Sequence, residues 1–206
     1  MILNHTAFQI GEDYGGKQQW LWESGLKKKF WADRSCGVAA AANLINYLGS
    51  EFNDLGSLYG GNSKEEFIRL MENLYGYLKP GVFGIPNLGK MGRGLTGYAS
   101  SKGVDLLPCT RTWIFDVKDG SKFIRGGLSQ GTPVLLLTWN YSDRELRNHW
   151  VTVTGWDVIY GEEYMTVSNW GQKKTYSYDK WVGERSLLKG AIYLTRNKCI
   201  DAPDMI

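Results

Sequence analysis

The sequence predicts an α+β fold: a helical first half packed on an antiparallel sheet built from the second half. Three observations carry that prediction. Before Val104 the apolar residues recur at three- and four-residue steps, the period of a helix face. After it, β-branched and aromatic runs alternate with Gly, Asn and Asp, the pattern of connected strands. No internal repeat, low-complexity tract or Pro/Ser-rich linker divides the 206 residues, so residues 1–206 read as one domain, long enough for a real core.

The opening, "MILNHTAFQIGEDYGG", reads as a strand or arm, and His5 within it as incidental. It has no basic segment followed by a long apolar run. The expectation is therefore no signal peptide, no membrane span and a cytoplasmic protein, with secretion by another route as the alternative. "SCGVAAAANLINYL" is a helix with Ser35 before it and Gly49 where a C′ glycine belongs. In "SKEE", Ser63 and Glu66 fit a capping box. They open a helix whose apolar face is Phe67, Leu70, Met71, Leu74 and Leu78, and Pro80 and Gly81 end it. The later part of the glycine-rich stretch that follows predicts a third helix carrying Leu95, Tyr98 and Ala99. "PVLLLTW", "HWVTVTGWDVIY", "EYMTVSNW", "KKTYSY" and "AIYLTR" are the strands, interrupted by a short helix near Ser121 to Leu128. Helices first and strands second imply two layers, with a cleft between them as the natural place for chemistry.

Composition excludes several function classes. A formal charge of +3, with no basic block beyond Lys27 to Lys29, predicts no nucleic-acid partner. Nine Trp and twelve Tyr belong mostly to the core and half-buried strands, with some left to line a groove. The three cysteines, Cys36, Cys109 and Cys199, are odd in number and widely spaced. That predicts neither a disulfide framework nor a zinc site, and no metal or organic cofactor is expected.

The chemistry-bearing residues are few. Cys36 stands at the first turn of its helix, where unpaired N–H groups and the positive dipole end favour a thiolate, the reactive form of cysteine. Gly37 leaves room there for a substrate backbone, and Ala39 to Ala42 allow tight packing under the sheet. The second histidine, His149, opens the strand "HWVTVTGW" in the other half. Across the layer interface its imidazole can take the thiol proton and return it to a leaving group. A third group should hold that ring in one tautomer. The next strand ends in Ser168 and Asn169, which point to opposite faces, so one of them serves. Asn169 is the better candidate, because an amide oxygen accepts from a ring N–H.

The order Cys, His, Asn resembles the papain-like cysteine peptidases, and within them the bacterial branch that includes the bacteriocin-leader peptidases. Three motifs carry the resemblance: "SCGVAAAANLINYL", "HWVTVTGWD" and "SNWGQKKTYSYDKW". It implies a thiol hydrolase that acts on peptide or protein amide bonds through a thioester, with no cofactor and no membrane partner. It also leaves two other readings, an acyl transferase on the same fold and a catalytically weak module that binds peptide or glycan. Two departures stand out. Many relatives carry an oxyanion-hole glutamine six residues before the cysteine, where this chain has Phe30. The upstream "GGKQQW" matches a "GG-x-Q-x-W" element of some bacterial relatives, which implies Gln18 as the oxyanion donor, with Asp33 and Arg34 near the mouth. In the third motif, alignment on the strand places the family's Asn on Asn169, and counting back from Gly171 places it on Ser168.

Overall fold

The computed structural model describes residues 1–113, 119–140 and 142–201. The first half holds a hairpin, β1 (Gln9–Ile10) and β2 (Asp13–Tyr14), followed by two single-turn helices, α1 (Trp20–Glu23) and α2 (Lys29–Ala32). Three longer helices follow, α3 (Cys36–Glu51), α4 (Lys64–Leu78) and α5 (Leu88–Ser101). The second half runs β3 (Leu107–Trp113), α6 (Gly120–Ser129), β4 (Val134–Trp139), β5 (His149–Ile159), β6 (Glu162–Asn169), β7 (Gln172–Ser177), α7 (Tyr178–Gly183) and β8 (Leu188–Thr195). The last six strands make one antiparallel sheet in the order β3-β8-β4-β5-β6-β7. The class is α+β, helices first and antiparallel sheet second.

The long helices start and stop for local reasons. Ser63 and Glu66 close a reciprocal capping box at the head of α4. The face Phe67, Leu70, Met71, Leu74 and Leu78 is buried. Lys79 then turns left-handed (φ 44°) ahead of Pro80, ending the helix. Asn87 caps α5 by accepting from the Lys90 N–H at 2.8 Å. α3 is buried on every side from Gly37 to Gly49, which suits the central helix of a layer. Gly49 is not the residue after its end, because α3 runs on to Glu51. A Cβ at Gly49 would overlap the Tyr59 backbone, so glycine there serves close approach rather than termination.

The sheet is covered on both faces, where the sequence predicts two layers. In β4, Leu135 and Leu137 pack with α3, α4 and α5, while Val134 and Leu136 pack with Phe123, Ile124 and Leu128 of α6 and Trp181 of α7. Burial on both faces explains why "PVLLLTW" is an unbroken apolar run rather than an alternating one. β3 escapes the sequence pattern for the opposite reason. It is an edge strand, mostly exposed, with Pro108 placed where an edge tolerates it.

The expectation of three unbridged cysteines is overturned. Cys109 and Cys199 form a disulfide across 90 residues, tying β3 to the segment that follows β8. Wide spacing hid the pair, because the sheet brings together residues the sequence keeps far apart. Such a bridge persists where thiols are not kept reduced. Among the described residues no helix is long and apolar enough to cross a membrane.

Candidate active site

The cleft forms where the first turn of α3 meets the ends of β5 and β6. Ser35 is the N-cap residue of α3, but its hydroxyl turns back to donate to the Trp31 carbonyl at 2.7 Å. No side chain therefore caps the first-turn amides. The Val38 and Ala39 N–H groups go to the Ser35 carbonyl. The Gly37 N–H goes to the Cys36 sulfur, as does the Trp150 N–H from β5. The Cys36 N–H belongs to the first turn of α3, whose amides have no partner within the helix.

His149 is the first residue of β5 and is 7% exposed. Asn169 is the last residue of β6, and antiparallel pairing of the two strands sets it beside the start of β5. Nε2 of His149 lies 2.8 Å from Oδ1 of Asn169. With Nε2 taken up in this way, Nδ1 is the ring atom left for Cys36, whose thiol makes a side-chain hydrogen bond with His149.

The two groups shift each other. Burial pushes the Cys36 thiol up, but the His149 charge, the hydrogen bond from its ring and the Trp150 and Gly37 amides outweigh burial. The thiol is held below its ordinary range. Burial likewise pushes His149 down, and the Cys36 thiolate, its hydrogen bond, Asn169 and the Glu145 carboxylate reverse that, holding the imidazole above its ordinary range. A thiol shifted down beside an imidazole shifted up is the condition for a thiolate–imidazolium pair.

Ser168, the alternative to Asn169, is engaged elsewhere. Its hydroxyl donates to the Tyr14 carbonyl at 2.7 Å and accepts from Nδ2 of Asn43 at 3.1 Å. Asn43 lies two turns along α3 from Cys36, and the sequence reading passed over it. It accepts from the Gly16 N–H at 2.8 Å and also donates to the Thr152 hydroxyl at 3.2 Å. One buried amide thus joins α3, β5, β6 and the segment that delivers Gln18. A lone polar residue on the Cys36 face of an apolar helix was the available signal.

That segment explains the glycines of "GGKQQW". Gly15 is left-handed (φ 78°), and a Cβ there would crowd Ser168 and Asn43. At Gly16 a Cβ would overlap the Phe67 ring. The close approach sets Gln18 against the same cleft wall as Cys36, 8% exposed, with Nε2 donating to the Asp33 carbonyl at 3.0 Å. Gln18 Oε1 is buried without a partner. Gln19 leads into α1 with helical backbone.

Three expectations at the mouth change. Asp33 pairs with Lys29 at 2.9 Å on the surface. The Arg34 guanidinium lies 3.6 Å from the Phe30 ring centroid and donates to the Val82 and Phe30 carbonyls. Neither side chain lines the cleft. The space beside Gly37 is not free for substrate, because Ile85, Trp150 and Met91 fill it.

Trp170 is a further site residue, which the sequence analysis did not single out within its third motif. Trp170 and Gly171 form the two-residue turn between β6 and β7, both left-handed (φ 50° and 74°). For tryptophan that conformation costs roughly 1–2 kcal/mol. It sets the indole against His149, centroids 4.7 Å apart, beside the His149–Asn169 bond. The cleft is small, about 10 Å³, and is also lined by Lys17, Ala39 and Ala40. His5 lies apart, its Nδ1 2.7 Å from Nζ of Lys173.

No family model matches the chain, and no curated protein does. Among solved structures, the Pseudomonas avirulence protein AvrPphB aligns over 82% of this chain and 95% of its own, with 8% identity and a TM-score of 0.38. So loose a likeness transfers no residue roles.

Proposed function

We propose that this protein is a thiol hydrolase of amide bonds, most simply a peptidase, working through a thioester. The observation that carries this reading is the row of half-buried Cys36 and buried His149 and Asn169, with the ring between a thiol and an amide oxygen 2.8 Å away. Cys36 Sγ attacks the substrate carbonyl carbon. The oxyanion that forms is stabilised by the Cys36 N–H and by the second N–H of the Gln18 amide. His149 gives its Nδ1 proton to the leaving amine, and the C–N bond breaks. It then takes a proton from water, whose oxygen attacks the thioester and frees the acid. Asn169 holds the ring so that Nδ1 faces the sulfur. The substrate class that the three sequence motifs suggest is a peptide or protein.

The ion pair fills the pH range between the lowered thiol and the raised imidazole. Turnover should rise as pH climbs through the first and fall as it climbs through the second, where His149 loses the proton it gives to the leaving amine. The test is iodoacetamide alkylation of Cys36 against pH, joined to turnover of a fluorogenic peptide library. Cys109 and Cys199 are bridged, so Cys36 is the one thiol of the chain. A thiolate step well below about 8.5, the value of a free thiol, with a bell-shaped turnover profile is expected. An ordinary thiol titration and no turnover would leave a binding module instead.

A further inference from the structure

Beyond Asn169 the hydrogen-bond chain continues through residues that no peptidase mechanism requires. Nδ2 of Asn169 donates to the Tyr176 hydroxyl at 3.3 Å. That hydroxyl donates to Oε2 of Glu145 at 2.6 Å. Lys174 Nζ donates to Oε1 of the same carboxylate at 2.6 Å. Tyr176 and Lys174 come from β7 and Glu145 from the segment leading into β5, where the neighbouring Leu146 is buried in the core.

The chain has one direction, and its far end sets it. An ionised carboxylate only accepts hydrogen bonds. Lys174 and Tyr176 hold Glu145 below the usual carboxylate range, so it stays ionised near neutrality. Burial and the Glu145 charge push the Tyr176 phenol well up, so it stays a hydroxyl. Tyr176 must therefore donate to Glu145 and offer only its lone pairs to Asn169. Asn169 must then turn Nδ2 to Tyr176 and Oδ1 to His149. A ring nitrogen facing that oxygen must carry a proton. His149 is left protonated at Nε2, and Nδ1 becomes the atom that exchanges a proton with Cys36.

We propose that Glu145, acting through Tyr176, is a positioning residue that orients the Asn169 amide and so fixes the tautomer of His149. The inference rests on the Cys36–His149 reading, and it adds two residues to it. It also gives the carboxylate an electrostatic part. The charged and titratable groups around His149 are Cys36 on α3, Glu145, Lys174 and Tyr176 in the relay, Asp143 beside them and Lys17 across the cleft. Among these Glu145 favours the imidazolium.

The test uses the full chain labelled with ¹⁵N-histidine, whose two histidines are distinguished by a His5→Gln control. Ring nitrogen shifts read both the pKa and the tautomer of His149 and need no substrate. Glu145→Gln keeps an acceptor for Tyr176 and removes the charge. The His149 pKa should fall by about half a unit, while neutral His149 stays largely protonated at Nε2. Tyr176→Phe keeps the ring but releases Asn169. Neutral His149 should then become a mixture of tautomers, and kcat on any cleaved peptide should fall about tenfold with KM unchanged. A merely structural role would lower the melting temperature and leave the titration and tautomer alone. If wild-type Cys36 and His149 titrate as ordinary groups, the pair itself fails. If the pair is present and neither variant changes the pKa or tautomer of His149, only the relay is overturned. Glu145 is 43% exposed at its side chain, so Glu145→Gln should fold even if Tyr176→Phe does not.

Discussion

Around Cys36, α3 meets β5 and β6 through buried polar side chains. At the far edge of the same sheet, β8 meets α6 mainly through apolar packing, with Gln130 hydrogen-bonded to Tyr193 and Thr195, and a disulfide ties β3 to the segment after β8. In the first region Asn43 alone makes three hydrogen bonds, at 2.8, 3.1 and 3.2 Å, and Thr152, Ser168 and the Gly16 N–H are its partners. In the second, Phe123 lies 5.1 Å from Tyr193 between ring centroids, and Cys109 is bonded to Cys199. Hydrogen bonds are directional and contribute little net stability each, about 1 kcal/mol. Apolar burial and a covalent cross-link contribute more and aim nothing. The difference teaches that position is specified near the cleft and stability is supplied away from it. Changes at the cleft should therefore move rates, and changes at the far edge should move melting.

The largest expected effect tests the cleft alone. Cys36→Ala and His149→Ala should each lower turnover by roughly ten-thousandfold or more, while thermal unfolding stays cooperative and shifts by only a few degrees. A variant that kept near-native turnover would remove the proton exchange from the mechanism.

The far edge supplies the converse. Reduction of Cys109–Cys199 should destabilise the protein by about 2–4 kcal/mol in denaturant titrations, since the bridge closes a long loop. Below the transition, alkylation of Cys36 should keep its rate and pH profile. If the alkylation profile changed along with stability, the two regions would not be separable.

The oxyanion donor sharpens the cleft side. Gln18→Ala should reduce the acylation rate about a hundredfold with little change in substrate affinity. Gln19→Ala should be nearly silent, because Gln19 precedes α1 and does not line the cleft.

The smallest effect divides neighbours on one strand. Asn169→Ala should slow turnover by about tenfold and barely change melting, since it orients the ring without taking the proton. Ser168→Ala should do the reverse. It leaves Asn43 without one acceptor and removes a donor from the Tyr14 carbonyl, costing about 1–2 kcal/mol of stability with the rate nearly intact. The opposite ranking would mean that the site uses the other register.

Local features of this molecule were legible in the sequence because they depend on neighbours a few residues apart. The capping box at Ser63, the apolar face from Phe67 to Leu78 and the β-branched and aromatic runs of β5 and β6 are all of this kind. So was the placement of a cysteine at the head of a buried helix and a histidine at the head of a strand. Where such features failed, a distant contact had overridden them. Gly49 looked like a helix terminator and is a glycine required by the Tyr59 backbone. Gly37 looked like space for substrate and is filled by Ile85 and Trp150.

Tertiary structure alone decided which distant residues meet. It brought Cys109 to Cys199, Asn43 to Ser168 and Tyr176 to Glu145. Such pairs leave no periodic trace in a sequence. Polar side chains like these are common on surfaces and turns, and only their burial beside one another gives them a role. The chain order of cysteine, histidine and asparagine suggested a chemistry. The register of β5 against β6 determined that Asn169, rather than Ser168, lies 2.8 Å from the ring, because a strand turns successive side chains to opposite sides.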